Sequence, residues 1–178
     1  NQRLGNDLGT NGKPLEAIHY CTAALALQPR SPGAYLNRSI KYEASENLAQ
    51  ALADINQAID LAPRYAIAWR VKGRLLQKLN HLDAAEAALR QALILNPRDT
   101  SARFLLAAQL QTAGRHRDAE VELRQAVALD RKDAMAHYNL GNALLRQKNL
   151  DDAIACYRKA IEFDSTCAQA HCNLGYAL

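Results

Sequence analysis

Residues 136–144 read AHYNLGNAL, and residues 170–178, 34 positions later, read AHCNLGYAL. Seven of the nine letters are identical, and only the third and the seventh differ. A near copy at a fixed distance indicates an internal repeat, and such a repeat determines the architecture before any local pattern is considered. The shared letters are then expected to belong to the scaffold, and the varied letters to positions where function can differ.

The 34-residue period extends through the chain when units begin at residues 32, 66, 100, 134 and 168. Alanine fills the twentieth and the twenty-seventh place of every unit that reaches so far. The eighth place is usually small: Ser39, Gly73, Ala107, Gly141 and Gly175. The twenty-fourth place holds Ile55, Leu89, Leu123 and Tyr157, and Cys21 has the same place in the partial unit before residue 32. Places 20, 24, 27 and 28 form one apolar helical face, and places 7, 8 and 11 form a similar stripe on an earlier helix.

Turn-rich segments such as SEN (45–47) and QKN (147–149) separate the two stripes. Each unit is therefore predicted to be a pair of antiparallel helices, and because one pair cannot bury its apolar face alone, successive pairs should stack. The predicted fold is all-α, an α-α superhelix (solenoid) of helical hairpins with a 34-residue period. We expect one solenoid over 1–178, with these parts: partial repeat 1–31, full repeats 32–65, 66–99, 100–133 and 134–167, and a partial first helix 168–178.

The repeat pattern resembles the tetratricopeptide repeat family over essentially the whole chain. The period, the small eighth place, the two alanines, the prolines Pro29, Pro63 and Pro97 near unit ends, and Trp69 near a unit start all fall where that family carries them. The resemblance implies a right-handed superhelix whose concave face is lined by the first helix of each unit. It also implies that this face binds a peptide segment of a partner protein.

Composition limits the other possibilities. The net charge is +4, and charges of both signs are interspersed rather than gathered into basic tracts, which argues against nucleic acid as the partner. No apolar run approaches the roughly 20 residues of a membrane span. Four cysteines without paired spacing indicate reduced thiols, so we expect a cytoplasmic protein.

No arrangement of side chains predicts catalysis, a cofactor or a metal site. Cys167 and His171 are spaced i, i+4, but Cys172 points about 100° away on a helix and no fourth ligand is suitably spaced. His137 and His171 share the fourth place of their units, which holds Tyr35 and Trp69 elsewhere, so both are interpreted as packing residues. We predict a protein that is not an enzyme within this segment.

The remaining face of each first helix is the predicted binding groove, by the geometry that the resemblance implies. It combines apolar and amide side chains with one ridge of like charge. Its predicted residues are Asn37, Ile40, Arg70, Arg74, Lys78, Phe104, Tyr138, Asn139, Asn142, Arg146, Asn173 and Tyr176. Leu36 and Val71 fall at the same places. Because arginine binds carboxylates bidentately, an acidic peptide with an apolar anchor is the expected ligand; a solvated face without a ligand is the alternative.

Co-chaperone members of the family hold acidic tails with a two-carboxylate clamp of lysine, arginine and asparagine. Asn6 and Asn37 match that clamp, but Gln2, Ile67 and Val71 stand where it requires cations. We therefore do not expect the clamp in this chain.

Three functions remain open from the sequence. The first is a non-catalytic scaffold for protein–protein interaction. The second is the substrate-recruiting arm of a larger enzyme, a protein kinase or an O-linked N-acetylglucosamine transferase-like protein, with its catalytic domain outside these residues. The third is a self-assembling solenoid. The first unit lacks its opening residues and the last ends inside its first helix. We therefore expect part of a longer protein, with end-to-end self-association through uncapped repeat ends as a possible contact.

Overall fold

The structure is a computed structural model that describes residues 14–178. These residues form ten α-helices and no strand. The helices are α1 (Pro14–Leu27), α2 (Pro32–Ala44), α3 (Leu48–Leu61), α4 (Ala66–Lys78), α5 (Leu82–Leu95), α6 (Thr100–Thr112), α7 (His116–Leu129), α8 (Ala134–Arg146), α9 (Leu150–Phe163) and α10 (Ala168–Ala177). Every first helix begins at the first place of its 34-residue repeat and every second helix at the seventeenth, so the predicted all-α hairpin fold is confirmed. Gln2 and Asn6, which were compared with the two-carboxylate clamp, lie outside the described residues.

The described residues divide into two compact units, residues 14–97 and 98–178. In the first unit, α2 packs on α3, α4 packs on α5, and α4 also contacts α3. In the second unit, α6 packs on α7, α8 on α9, and α10 on α9, with α7 against α8. Each unit is thus a stack of antiparallel hairpins. None of the helices among residues 14–178 is long and apolar enough to cross a lipid bilayer.

Each hairpin turn has the same backbone conformation. Glu46, Asn80, Gly114 and Lys148, all at the fifteenth place, have positive φ angles between 56° and 75°. The next residue donates its N–H to the carbonyl five residues earlier, as His81 does to Leu76 (2.9 Å). These are the bonds of a helix end closed by a left-handed residue, so the short turn can reverse the chain without leaving carbonyl groups unpaired.

The alanines of the repeat lie at the centre of the packing. The eight alanines at the twentieth and twenty-seventh places of the four full repeats are fully buried. A methyl group there lets neighbouring backbones approach, and a larger side chain would overfill the interface.

The eighth and twenty-fourth places fit each other in size. A methyl group added to Gly141 would lie 2.6 Å from Cε1 of Tyr157, and one added to Gly73 would lie 2.6 Å from Cγ of Leu89. Ser39 fits at the equivalent place because its hydroxyl donates to the carbonyl of Ala51 (2.8 Å). The smallest residue therefore faces the bulkiest one, Tyr157, within one hairpin.

Two features of the packing differ from the sequence analysis. Leu36 and Val71, which fall at predicted groove places, are only 5% and 3% exposed because successive first helices pack against each other there. Conversely, Gly175 has no neighbouring atom within 4 Å of an added methyl group, and the described residues include no second helix packed against this part of α10. The sequence analysis also passed over the third place, where every first helix from α2 to α10 buries an alanine.

Candidate functional site

The first helices form the inner face of each unit. The Cα atoms of α2 and α4 approach within 8 Å, as do those of α6 and α8 and those of α8 and α10. Among the described residues, the second helices of successive repeats do not approach each other to this distance. A layer of closely spaced helices beside a layer of more widely spaced ones curves toward the close side. The first helices, which carry the predicted groove residues, therefore line the inner, concave side of their own unit.

On the inner face of the first unit, three charged side chains meet. Arg74 donates from Nη2 to Oε2 of Glu43 (2.6 Å), and Nζ of Lys78 lies 3.2 Å from Oε1 of the same carboxylate. Glu43 is only 7% exposed, whereas the two cations are about one third or more exposed. We call these three residues the ionic cluster. It ties α2 to α4, and it already provides a carboxylate for two cations of the predicted basic ridge.

Asn37, Ile40 and Arg70 complete the predicted residues of the first unit. Ile40 is half-buried and packs against the apolar core of α2, α3 and α4. Asn37 and Arg70 are also half-buried. Arg70, Arg74 and Lys78 share one side of α4, so this inner face keeps a positive balance of charge after Glu43 is counted.

On the inner face of the second unit, the side chains that link neighbouring helices are uncharged. The Oδ1 atom of Asn142 accepts hydrogen bonds from the hydroxyl of Tyr157 (2.8 Å) and from Nδ2 of Asn173 (2.7 Å). Because burial raises the pKa of the Tyr157 hydroxyl, the ring stays neutral and able to donate. We call these three residues the amide cluster. It joins α8, α9 and α10, so Asn142 and Asn173 have a structural role besides the one predicted for them.

Phe104, Tyr138, Asn139, Arg146 and Tyr176 occupy the rest of the inner face of the second unit. Phe104, Tyr138 and Asn139 are half-buried, and Arg146 is exposed. Tyr176 is 82% exposed, so its ring is fully available to a partner. The partly buried ring of Tyr138 packs against the buried cluster of Ala160, Cys167 and Ala170.

Ring nitrogens at the fourth place hold the loops between repeats. Trp69 donates from Nε1 to the carbonyl of Pro63 (2.8 Å), and Nε2 of His137 and of His171 lies 3.0 and 3.1 Å from the carbonyls of Arg131 and Ser165. In all three cases the partner is six residues earlier. His137 is 4% exposed and lies against Phe163, as the packing interpretation requires, whereas His171 is exposed. Among residues 14–178, no group of three or more His, Cys, Asp or Glu side chains is placed to hold a metal ion.

Two of the thiols, those of Cys21 and Cys156, are the opposite of activated nucleophiles. All four cysteines are unpaired. Burial raises the pKa of Cys21 and of Cys156, which keeps both as neutral thiols near neutral pH. A reactive cysteine needs the opposite shift, toward the thiolate.

Comparison with protein families and with a curated relative identifies the kind of repeat in this chain. Two family models described as tetratricopeptide repeat match the chain, one over residues 3–66 and 70–108 and the other over residues 134–167. A heat shock protein sti1 homolog from Schizosaccharomyces pombe is 39% identical over 63 residues, which is 35% of this chain and 11% of that protein. The chain therefore spans only a small part of that relative.

Solved structures share the fold. YrrB, described as a tetratricopeptide repeat protein with an unusual peptide-binding site, is 24% identical, with a TM-score of 0.74 over 97% of this chain and 89% of YrrB. A structure of MamA from Desulfovibrio magneticus RS-1 is 20% identical, with a TM-score of 0.79 over 93% of this chain and 94% of MamA. At such identities the likeness concerns the fold alone.

Proposed function

We propose that this chain, which belongs to the tetratricopeptide repeat family, is a non-catalytic scaffold that binds a peptide segment of a partner protein on its inner faces. The repeat scaffold itself is a protein-interaction fold, and the ligand and its place are our proposal. Residues 1–178 are treated as one repeat array, and a reducing cytoplasm is proposed as its compartment because all four cysteines are unpaired.

One observation carries this proposal: the inner face of the second unit presents aromatic rings beside amides. Tyr176 is exposed, and Phe104, Tyr138 and Asn139 are half-buried on neighbouring first helices. Aromatic side chains bring large contact area at low entropic cost, and amides can bond an extended peptide backbone. Aromatic residues are enriched at the cores of protein–protein interfaces.

The first unit favours an acidic segment of the partner. Three cations and one carboxylate share the inner side of α2 and α4, so the local balance is positive. Glu43 competes for Arg74 and Lys78, because a peptide carboxylate must share these cations with it. This competition distinguishes the site from the two-carboxylate clamp, for which Val71 is also too buried to contact a ligand.

The proposal can be tested with peptides selected on the whole chain from a phage-displayed library. Fluorescence anisotropy then measures the affinity of the selected peptides for Asn139→Ala and Tyr176→Ala, which we expect to bind at least tenfold more weakly. Arg158→Ala is the matched control, since Arg158 is exposed on the second helix α9. Peptides that bind all three variants like the unmodified chain would place the site elsewhere.

The charge preference needs its own variant. Glu43→Gln should release Arg74 and Lys78 and raise the affinity for acidic peptides several-fold, most clearly at low salt. An unchanged affinity would show that the ionic cluster takes no part in binding.

A further inference from the structure

The outer side of the repeats has its own groove. It runs between the second helices of successive repeats, and its floor is formed by the fourth, seventh and eleventh places of the first helix between them. We call it the outer groove. Its floor and walls are built from equivalent places in each repeat, so two outer grooves can be compared residue by residue.

In the first unit, one arginine fills the outer groove above α2. Arg38 makes two hydrogen bonds of 2.7 Å to the carboxylate of Asp54 on α3, and its Nη1 donates to the hydroxyl of Thr22 on α1 (3.2 Å). The rings of Tyr35 and Tyr42 lie 5.7 and 5.8 Å from the guanidinium carbon. The chain thus closes this groove with its own ion pair on an aromatic floor.

In the second unit, every one of these places has changed. Leu140 stands for Arg38, Cys156 for Asp54, His137 for Tyr35, Leu144 for Tyr42, and Arg124 for Thr22. No side chain bridges the groove above α8, and a cavity of about 650 Å³ lies between α7 and α9 instead. This volume is within the range of small-molecule sites. Above α4, where Trp69 and Lys72 lie on the floor, the cavity is smaller, about 380 Å³.

The larger cavity has an apolar floor and cationic side chains at its rim. Leu140 and Leu144 form a buried floor, and Val127 and Phe163 line the walls. Burial raises the pKa of the Cys156 thiol in the wall, as an apolar surrounding requires.

Three cations, Arg124, Arg131 and Lys159, stand at the rim, against one carboxylate, Asp152. Arg124 is held by Glu120 (2.7 Å), whereas Arg131 and Lys159 are exposed and form no ion pair with another described residue. The walls of the groove above α8 are therefore mainly cationic. In the groove above α2 the charges are reversed, because the wall carries Asp54 and the cation Arg38 fills the groove.

We propose that the outer groove above α8 is a second binding site, separate from the inner face, for a small amphipathic carboxylate. The apolar body of the ligand would lie on Leu140 and Leu144, and its carboxylate would meet Arg131 and Lys159 at the rim. An anion with an aliphatic chain fits both the volume and the charge, whereas a neutral or cationic ligand of the same size fits only the volume.

Calorimetric titration of the whole chain with octanoate, decanoate and 1-decanol tests this assignment. Decanoate should bind to one site, about fourfold more tightly for each buried CH₂ it has beyond octanoate. It should bind at least tenfold more tightly than 1-decanol, which lacks the charge. Absence of binding at millimolar decanoate, or equal binding of the alcohol, would overturn the proposal.

Variants taken from the closed repeats locate the site. Leu140→Arg with Cys156→Asp rebuilds the ion pair of the first unit, and His137→Trp with Leu140→Lys rebuilds the Trp69 and Lys72 pair. Because Trp69 makes the same loop bond as His137, the second graft is expected to keep that bond, so the two grafts test the site through different substitutions. Either folded graft should reduce decanoate affinity at least tenfold, and unchanged affinity in a folded graft contradicts the site.

Rim variants test the charge separately. Arg131→Ala with Lys159→Ala should weaken decanoate about tenfold and leave 1-decanol unchanged, while Arg158→Ala on the same helix should change neither. In a Cys172→Ser background, bound decanoate should also slow the modification of Cys156 by a small thiol reagent, since Cys21 and Cys167 are buried. Equal modification rates with and without saturating decanoate would place the ligand elsewhere.

Discussion

The two units connect successive first helices by different chemistry. In the first, the ionic cluster places a nearly buried Glu43 between Arg74 and Lys78. In the second, the amide cluster gives Asn142 two neutral donors, Tyr157 and Asn173. The same repeat geometry therefore accepts either charged or amide side chains between two successive first helices, α2 and α4 in one unit and α8 and α10 in the other. The charged version depends on salt and competes with acidic ligands, while the neutral version depends on exact packing of one ring.

The largest expected effect comes from that ring. In Gly141→Ala the new methyl group would lie 2.6 Å from Cε1 and 2.9 Å from Cδ1 of Tyr157, whose hydroxyl is held by Asn142. The ring is fully buried and cannot move aside, so we expect the free energy of unfolding to fall by about 3 kcal/mol. Urea denaturation followed by circular dichroism measures this loss.

The equivalent glycine of the first unit serves as the comparison. Gly73→Ala meets Leu89 at 2.6 Å, and Leu89 is also fully buried, but no hydrogen bond fixes it and a leucine has more rotamers than a ring, so the expected loss is smaller, about 1 kcal/mol. Gly175→Ala, with no atom within 4 Å, should stabilise its helix by up to about 1 kcal/mol. Equal losses for Gly141→Ala and Gly73→Ala would show that the tyrosine adapts as easily as the leucine.

The next effect concerns the ion pair that closes the outer groove of the first unit. Asp54→Asn removes the charge that receives both bonds from Arg38, a pairing that also raises the pKa of Arg38 above its usual value. Hydrogen bonds to charged groups contribute about 1.5–3 kcal/mol, so a loss of about 2 kcal/mol is expected in the same urea measurement. Asp60→Asn, an exposed change on α3, should have almost no effect.

The hairpin fold could be predicted from the sequence because it follows from one-dimensional periodicity. Small residues at the eighth place and alanines at the twentieth and twenty-seventh repeat every 34 residues, and the structure buries them as expected in the full repeats. The alanine at the third place carries the same signal and could have been found by the same count. Leu36 and Val71 are buried because both belong to one apolar core cluster with Ala68, whereas the residues at the same places in the other repeats stay half-buried or exposed.

The side-chain pairs were harder to predict, because they join different places in different repeats. Glu43 at the twelfth place meets Arg74 at the ninth place of the next repeat, so alignment of equal places does not reveal the pair. The basic ridge was therefore predicted without its counter-ion. By contrast, the ring-to-loop bond of Trp69, His137 and His171 links the same two places each time, and a search for aromatic nitrogens at the fourth place would have suggested it.

Salt should change the energetic cost of variants in the ionic cluster and leave that of variants in the amide cluster unchanged, although both effects on the free energy of unfolding are small. At low ionic strength, Glu43→Gln and Tyr157→Phe should each cost about 1 kcal/mol or less, since each removes one set of hydrogen bonds. At about 1 M NaCl, where the screening length is about 3 Å, the cost of Glu43→Gln should shrink, because its cations are partly exposed. The cost of Tyr157→Phe should not change. A salt-dependent cost for Tyr157→Phe would contradict the neutral description of the amide cluster.

The last prediction compares the unmodified chain with Tyr157→Phe at alkaline pH. At neutral pH the hydroxyl of Tyr157 keeps its proton in both the folded and the unfolded chain, so its pKa has no effect on stability there. Burial raises the pKa of Tyr157 in the folded chain above the value of about 10 that an unfolded tyrosine has. The folded state then holds this proton more tightly, so its contribution is fully present below pH 10 and is lost as the pH rises through the folded value. Between pH 10 and 11, the stability of the unmodified chain should therefore fall more steeply than that of Tyr157→Phe, as measured by urea midpoints at each pH. Parallel curves would mean that the hydroxyl of Tyr157 has the same pKa in the folded and the unfolded chain, which would contradict its burial.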